Sequence, residues 1–381
     1  MTKSFIPYST QSIGADDIRV VNKVLQSGWI TQGPKVKEFE TDVAGYAEAK
    51  YAVAVSNATA GLHIACLALG LKSGDEVIVP TLSFTASASC IIHCDAKPVF
   101  VDVYQDTLTI NVEQAEKKIS KYTKAIIAVD FAGHPAEWSK LKRIANKHKL
   151  KLIDDAAHSF GSIYKNRKIG SIADITIFSF HPVKTITTGE GGMLTTNNKE
   201  YFEKISLLRN HGIIKSRELH DKYGGWFYDI KNVGFNFRLT DIQAALGISQ
   251  LKKAETFIKK RRNKWNKYKE ALSKFPQLIL PIEKKDSISG WHLFPIRIDS
   301  SQTKISRKEL YQKLINAGIG VQIHFIPIHY LSFYRQFVGV NEKFPVSENY
   351  YNSALSLPLY PALTQNEQFY VIETLKKIVH E

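Results

Sequence analysis

Seven short apolar runs in the first half of the chain limit its fold more than any other feature. They are Tyr51-Ala-Val-Ala-Val, Glu76-Val-Ile-Val, Pro98-Val-Phe-Val-Asp-Val, Ala125-Ile-Ile-Ala-Val-Asp, Leu150-Lys-Leu-Ile-Asp, Asp174-Ile-Thr-Ile-Phe-Ser-Phe and Gly192-Met-Leu-Thr-Thr. Each has strand length, and helical patterns such as 58–69 and 139–148 separate most of them. Strands alternating with helices predict an α/β fold whose largely parallel sheet is covered on both faces. In such sheets ligands gather at the carboxyl ends of the strands. Asn57, Asp130, Asp155 and Lys184 all fall there.

After residue 240 the pattern changes. Thr240-Asp-Ile-Gln-Ala-Ala-Leu-Gly opens a well-capped helix. Leu251, Ala254, Ile258, Trp265, Tyr268 and Leu272 continue at helical spacing, which predicts one long helix leading into a second domain. Strands over 290–298 and 321–325, with helices over 307–317 and 365–379, predict a smaller α+β lobe. The expected organisation is a large domain over 1–250 with a mostly parallel seven-stranded sheet. A small C-terminal domain over 251–381 completes the chain, with the N-terminal segment 1–20 packed against it.

The 381 residues are 44% hydrophobic and 11% aromatic, ordinary for a soluble globular protein. No apolar run has the length of a membrane span, and the start, Met1-Thr-Lys-Ser-Phe-Ile-Pro-Tyr, lacks a signal-peptide core, so a cytoplasmic enzyme is expected. Three cysteines, Cys66, Cys90 and Cys94, argue against a disulfide framework. Cys90 and Cys94 flank His93, but the ligand set is incomplete for zinc and 86–92 reads as a buried helix, so no metal is expected. The net charge is +15, with lysines clustered at 117–118, 140–151 and 259–269. These clusters lie on helix-like segments and match no nucleic-acid motif. They read as solvated helix faces, and their field would steer a phosphorylated or nucleotide-linked substrate.

The chemistry concentrates in Ser179-Phe-His-Pro-Val-Lys-Thr-Ile-Thr-Thr-Gly-Glu-Gly-Gly. Lys184 stands just past a buried strand, where partial desolvation favours the neutral amine. A neutral amine attacks carbonyl carbon, as Schiff-base lysines do; a strand-end lysine that snorkels to solvent is the alternative. Ser56-Asn-Ala-Thr-Ala comes directly after the first strand and opens a helix, whose free N–H groups and threonine hydroxyl make an anion site. Ser179 could add a second hydroxyl. Asp155 ends a buried strand and needs a positive partner there, which a protonated pyridine nitrogen would supply. His158 lies three residues on, and Phe84 after another strand could stack on a ring. A nucleophilic lysine, a phosphate cradle, a ring-nitrogen carboxylate and a stacking aromatic together point to pyridoxal phosphate.

These residues lie in segments that closely resemble the DegT/DnrJ-type sugar aminotransferases. The likeness runs nearly end to end through Trp29-Ile-Thr-Gln-Gly-Pro, Ser56-Asn-Ala-Thr-Ala, Asp155-Ala-Ala-His, Phe178 to Gly192, Arg209-Asn-His-Gly-Ile, Gly234 to Gly247 and Leu355-Ser-Leu-Pro-Leu-Tyr-Pro. The resemblance implies the fold type I, aspartate-aminotransferase-like architecture of pyridoxal-phosphate-dependent transferases. It implies that Lys184 bonds the cofactor and later shuttles a proton, that Asp155 pairs with the pyridine nitrogen, and that Phe84 and His158 contact the ring. Ala58, Thr59 and Ser179 would bind the phosphate. Asn236 would complete that site from the partner subunit of a homodimer. Relatives with histidine at the lysine position become dehydratases, a branch that Lys184 disfavours.

Within the family, 179–192, 233–251 and 320–335 look most like the C4 aminotransferases of pseudaminic acid synthesis. Those enzymes aminate a UDP-linked 4-keto-6-deoxy-N-acetylhexosamine with glutamate as donor, releasing 2-oxoglutarate. Rival substrates are a UDP-4-ketopentose or a dTDP-keto-hexose, and the non-enzyme rival is a ligand-sensing protein on the same fold. His324, His329, Tyr334 and Arg335 either shape the sugar-nucleotide pocket or form a packed aromatic loop. Tyr8, Thr31 and Arg238 are further candidates for substrate contact.

Overall fold

The computed structural model describes residues 5–380, so residues 1–4 of the N-terminal segment lie outside the described residues. The expected seven strands form one sheet. We number them β1 (Tyr51–Val55), β2 (Glu76–Pro80), β3 (Lys97–Val101), β4 (Thr123–Val129), β5 (Lys151–Asp155), β6 (Ile175–Ser179) and β7 (Gly192–Thr196). Their order is β1-β7-β6-β5-β4-β2-β3. β7 runs antiparallel to both of its neighbours, and the other six strands share one direction.

The apolar runs are continuous because both faces of the sheet are covered. Alternate residues enter two separate cores. Ala52, Ala54, Ile126, Ala128, Leu152 and Phe178 face one. Val53, Val55, Ala125, Ile127, Ile153, Ile175 and Ile177 face the other. The two-residue side-chain period of a strand leaves little freedom in register, since a slip of one would exchange the faces. The residues just past each strand are therefore delivered to a fixed place at the sheet edge.

The helix expected as one piece after Thr240 is two, Asp241–Leu251 and Ala254–Leu272. At the junction the Lys253 N–H bonds the Gln250 carbonyl, a tighter turn than an α-helix makes. The Lys253 ammonium there reaches Asp17 Oδ2 at 2.5 Å. The first helix lies on the large domain, capped by a reciprocal Thr240–Gln243 box. The second carries its inward stripe into the smaller C-terminal domain.

That domain is built on a three-stranded antiparallel sheet of Leu278–Ile279, Phe294–Ile298 and Ala354–Leu357. Trp265 stacks on Trp291 at 4.1 Å within its core. The strand expected from 290 begins at Phe294, because Trp291 turns to a φ of 47° and the His292 N–H bonds Ala132 O. The expected strand over 321–325 reduces to a single bridge between Gln322 and Ser356. Ile6 bridges Ile319 and joins the same core, ahead of the helix Ala15–Leu25.

Candidate active site

β5 and the turn after β6 bring an acid and a lysine to one cleft. Asp155 closes β5 with 5% of its surface exposed. Its Oδ2 accepts from Ser87 Oγ at 2.5 Å and its Oδ1 from Ala157 N at 3.3 Å. Ser83 extends the hydroxyl chain to Ser87 at 2.7 Å. Burial raises the acid's pKa, while Ser87, Ala157 and the Lys184 charge pull it back. Asp130 accepts from Ala136 N at 2.7 Å and Asp154 from Thr176 at 3.5 Å, but neither has a cation facing it as Asp155 has Lys184. Burial pushes Asp130 up to about 7, and its Oδ2 has no partner; Asp154 is pushed well up for the same reason. Of the three acids, Asp155 is the one equipped to stay ionised beside a cation. Sequence reasoning missed Ser83 and Ser87. Their signal is small hydroxyls buried in apolar surroundings, Ser87 on the helix Ala86–Ile92 and Ser83 in the loop before it, where each needs a partner.

Lys184 is presented by a turn with little slack. Thr187 Oγ1 donates to Phe180 O, Thr188 Oγ1 to Glu190 O, and Gly189 takes a φ of 81°. Part of the lysine surface opens to the cleft, yet packed atoms surround it. Desolvation, opposed by Asp155 and reinforced by Arg261, lowers its pKa to about 8. His158, His292 and His324 face it as well, and burial keeps all three neutral, His324 down to about 3.

Aromatic rings bound the slot above Asp155. Phe84 is 58% exposed and lies 6.0 Å from Phe325, which stacks on His158 at 5.8 Å. His158 Nδ1 accepts from Ala132 N at 3.3 Å, which puts the proton of the neutral ring on Nε2.

The candidate anion site lies where β1 and β6 end and β7 begins. Gly192 pairs with both Val55 and Ser179. A Cβ at Gly192 would meet the Asn57 carbonyl carbon at 2.7 Å and Ala58 N at 2.8 Å. Glycine thus lets Ser179 approach the start of the helix Ala58–Ala68. Asn57 caps that helix through Ala60 N at 2.8 Å, and the N–H groups of Ala58 and Thr59 have no acceptor inside the helix. Asn236 is exposed and precedes Phe237, whose carbonyl accepts from Ser56 N.

The outer candidates separate. Tyr8 and His324 lie with rings 5.5 Å apart beside the lysine cleft, and His324 Nδ1 shares a 2.9 Å bond with Ser356. His329 is engaged elsewhere, with Thr81 at Nδ1 and Glu348 at Nε2. Tyr334 is buried in the second core against Phe100. Arg335 is exposed and bonds Tyr330 O. Thr31 is exposed and bridges Thr240, and Arg238 donates to Asn210 Oδ1 at 2.7 Å. All three cysteines are free thiols, and among the described residues no group of three His, Cys, Asp or Glu could hold a metal ion.

Comparison with known proteins settles the lineage. The profile of the DegT/DnrJ/EryC1/StrS aminotransferase family matches residues 11–376. The chain belongs to this aminotransferase family. Among relatives, the spore coat polysaccharide biosynthesis protein SpsC of Bacillus subtilis is 39% identical, over 98% of this chain and 97% of that protein. The UDP-4-amino-4,6-dideoxy-N-acetyl-beta-L-altrosamine transaminase of Campylobacter jejuni is 38% identical, over 99% and 98%. The PLP-form of a sugar aminotransferase from Streptococcus pneumoniae superposes with a TM-score of 0.92 at 31% identity, each chain covered to 99%. The residues of this family member fit pyridoxal phosphate. The close approach at Gly192 gathers the Ser179 hydroxyl and the N–H groups of Ala58 and Thr59, donors suited to a phosphate, and Asp155 offers a buried carboxylate to a ring cation. Arg261, which the sequence shows only as part of a basic run, is buried beside the lysine.

Proposed function

We propose that this aminotransferase transfers an amino group from glutamate to C4 of a UDP-linked 4-keto-6-deoxy-N-acetylhexosamine, working as a homodimer. The cofactor is pyridoxal phosphate, which when bound supplies the electron sink for the carbon losing its proton. The observation that carries the reading is that Asp155, buried at the end of β5, and Lys184, in the turn after β6, act on each other electrostatically beside the donors at Ala58, Thr59 and Ser179. Lys184 would hold the cofactor, Asp155 its ring nitrogen, and His158 and Phe84 its faces. Ala58, Thr59 and Ser179 would hold its phosphate. Lys184, its pKa lowered to about 8, is a free amine in a larger share of molecules near neutral pH than an ordinary lysine, and its Nζ would carry the proton from the donor's α-carbon. The stacked rings of Phe325 and His158 shield one side of that position from water.

The Campylobacter relative and the nearly full-length match support the sugar assignment. A dimer is supported by the exposed arm around Trp226 (83% exposed) and Val233 (86% exposed), which precedes Asn236. Such apolar surface on a single chain marks an interface, and Asn236 would enter the partner's phosphate site. We place the enzyme in the cytoplasm, where free thiols such as its three persist. Among the described residues no helix is long and apolar enough to cross a membrane.

The test has two arms. Purified protein is expected to be yellow, with a band that borohydride bleaches and that Lys184→Ala lacks; turnover of that variant should fall by about 10³-fold or more. A panel of UDP- and dTDP-keto-sugars with glutamate then identifies the acceptor. Amination of a dTDP-linked sugar with no UDP-linked 4-keto sugar reacting would overturn the substrate assignment.

A further inference from the structure

On the helix Ala254–Leu272, Ala254, Phe257, Ile258, Arg261, Trp265, Tyr268 and Leu272 form the inward stripe. Six of these are apolar or aromatic; Arg261 is an arginine with 1% of its surface exposed. Burying a guanidinium is costly unless something specific receives it. All four of its hydrogen bonds end on uncharged main-chain carbonyls. Nη1 donates to His292 O at 3.1 Å and Leu359 O at 2.7 Å, and Nη2 to Val183 O at 3.3 Å and Lys184 O at 3.5 Å. Nε is buried without a partner. Its own pKa is drawn down to about 10 by burial alone, with no acid compensating it.

We infer that Arg261 is a positioning residue for Lys184: its guanidinium pins the main chain of Val183 and Lys184 to the small domain, and its unpaired positive charge disfavours the ammonium form of that lysine. Two further contacts draw the N-terminal segment into the same junction. Ser9 Oγ donates to Val183 O at 3.4 Å, and Leu359 N donates to Tyr8 O at 3.1 Å. The lysine is thereby tied to elements from both domains, although its side chain belongs to the large one. A lysine in place of Arg261 would keep the charge but lose the planar fork that reaches four carbonyls.

The groups facing Lys184 set the sign. Asp155 favours its ammonium, Arg261 opposes it, and His158, His292 and His324 are held neutral by burial. Removing Arg261 removes the opposing charge, so the lysine must hold its proton to higher pH.

This inference rests on Lys184 being the reactive amine, and the experiment reads that amine directly. Full-length, cofactor-free protein is acetylated competitively across pH 6–11, and the labelling of Lys184 is followed by mass spectrometry. In Arg261→Met the labelling midpoint is expected to rise by about one pH unit, a roughly tenfold loss of neutral amine near pH 7. In Arg261→Lys the midpoint should stay near that of the wild type, while turnover of the loaded enzyme falls about tenfold from the lost fork. A folded methionine variant with an unmoved midpoint would overturn the electrostatic role. Should that variant not fold, the lysine variant decides: undiminished turnover overturns the clamp, and reduced turnover at an unmoved midpoint supports it. A Lys184→Ala protein that still formed the borohydride-sensitive yellow band would sink the assignment of Lys184 as the cofactor lysine and leave these midpoints standing.

Discussion

The two walls of the cleft are built on different principles. One wall is made of strand ends: Asp155 closes β5, Ser179 closes β6 and Gly192 opens β7 between its partners. Sheet register fixes each of them, since a one-residue slip would turn Asp155 into the neighbouring core. The other wall comes from the chain between Ile319 and Phe337, which has one bridge to Ser356 and two short 3₁₀ turns. There the side chains fix the backbone instead. His329 spends both ring nitrogens on Thr81 and Glu348, and Tyr334 fills the core. The first wall suits chemistry, which tolerates little displacement. The second suits recognition, which varies with loops.

If that contrast is right, damage to the strand-end wall should cost activity far more than stability. Asp155→Asn is the largest such case short of the lysine itself. It keeps the shape and a hydrogen bond to Ser87 but cannot counter a ring cation. Turnover should drop about 10²-fold, with the absorbance of the bound cofactor altered and the melting temperature held or raised. A loss under threefold would mean that the buried acid is structural.

Gly192→Ala should act next most strongly and more selectively. The added methyl meets backbone atoms of Asn57 and Ala58, which cannot yield as a flexible side chain could. The anion cradle must open, so cofactor affinity is expected to weaken about tenfold. Titration of the cofactor-free protein with pyridoxal phosphate measures it, and unchanged affinity would place the phosphate elsewhere.

His329→Ala tests the second wall from the opposite direction. Losing the links to Thr81 and Glu348 should destabilise the chain by about 1–3 kcal/mol, because a buried partner is left unpaired. Turnover per folded molecule should stay within threefold of wild type. His324→Ala, which opens the cleft beside Lys184, should change sugar KM more than His329→Ala does. If the two variants were equal in KM, the distinction between a facing and a packed histidine would fail.

The difference between the walls also explains what is legible in the sequence. Seven strands, the acid and the lysine can be read there because a two-residue period and strand-end position determine them together. The break at Lys253 cannot, since the apolar spacing continues across it while the turn depends on hydrogen bonds to Gln250 and Asp17. The strand expected at 321–325 is absent because Val321 and Ile323 pack on the small-domain core without a pairing partner beyond Gln322. Arg261 is hidden for a related reason. Its neighbours Lys259, Lys260 and Arg262 are basic as well, and only its place on the stripe of Ile258, Trp265 and Tyr268 separates it from a solvated face.

The smallest expected effect probes the strand-end wall where it does no chemistry. Asp130 ends near Asp155 but lacks the Ser87 hydroxyl and the lysine, and burial raises it from 3.8 to about 7. Below pH 4 it is protonated in both the folded and unfolded chain. Between pH 4 and 7 the unfolded chain releases that proton while the folded chain keeps it, so this contribution to stability falls as pH rises. An asparagine in its place would lack the titration yet retain an oxygen for Ala136 N, which the acid now binds at 2.7 Å. The melting temperature of Asp130→Asn relative to wild type should therefore climb by a few degrees from pH 4.5 to pH 7, with turnover within threefold. A difference that stays flat across that window would mean the acid is ionised in the folded chain. Asp130 and Asp155 would then be equivalent acids, and the equipment around Asp155 would no longer explain its choice.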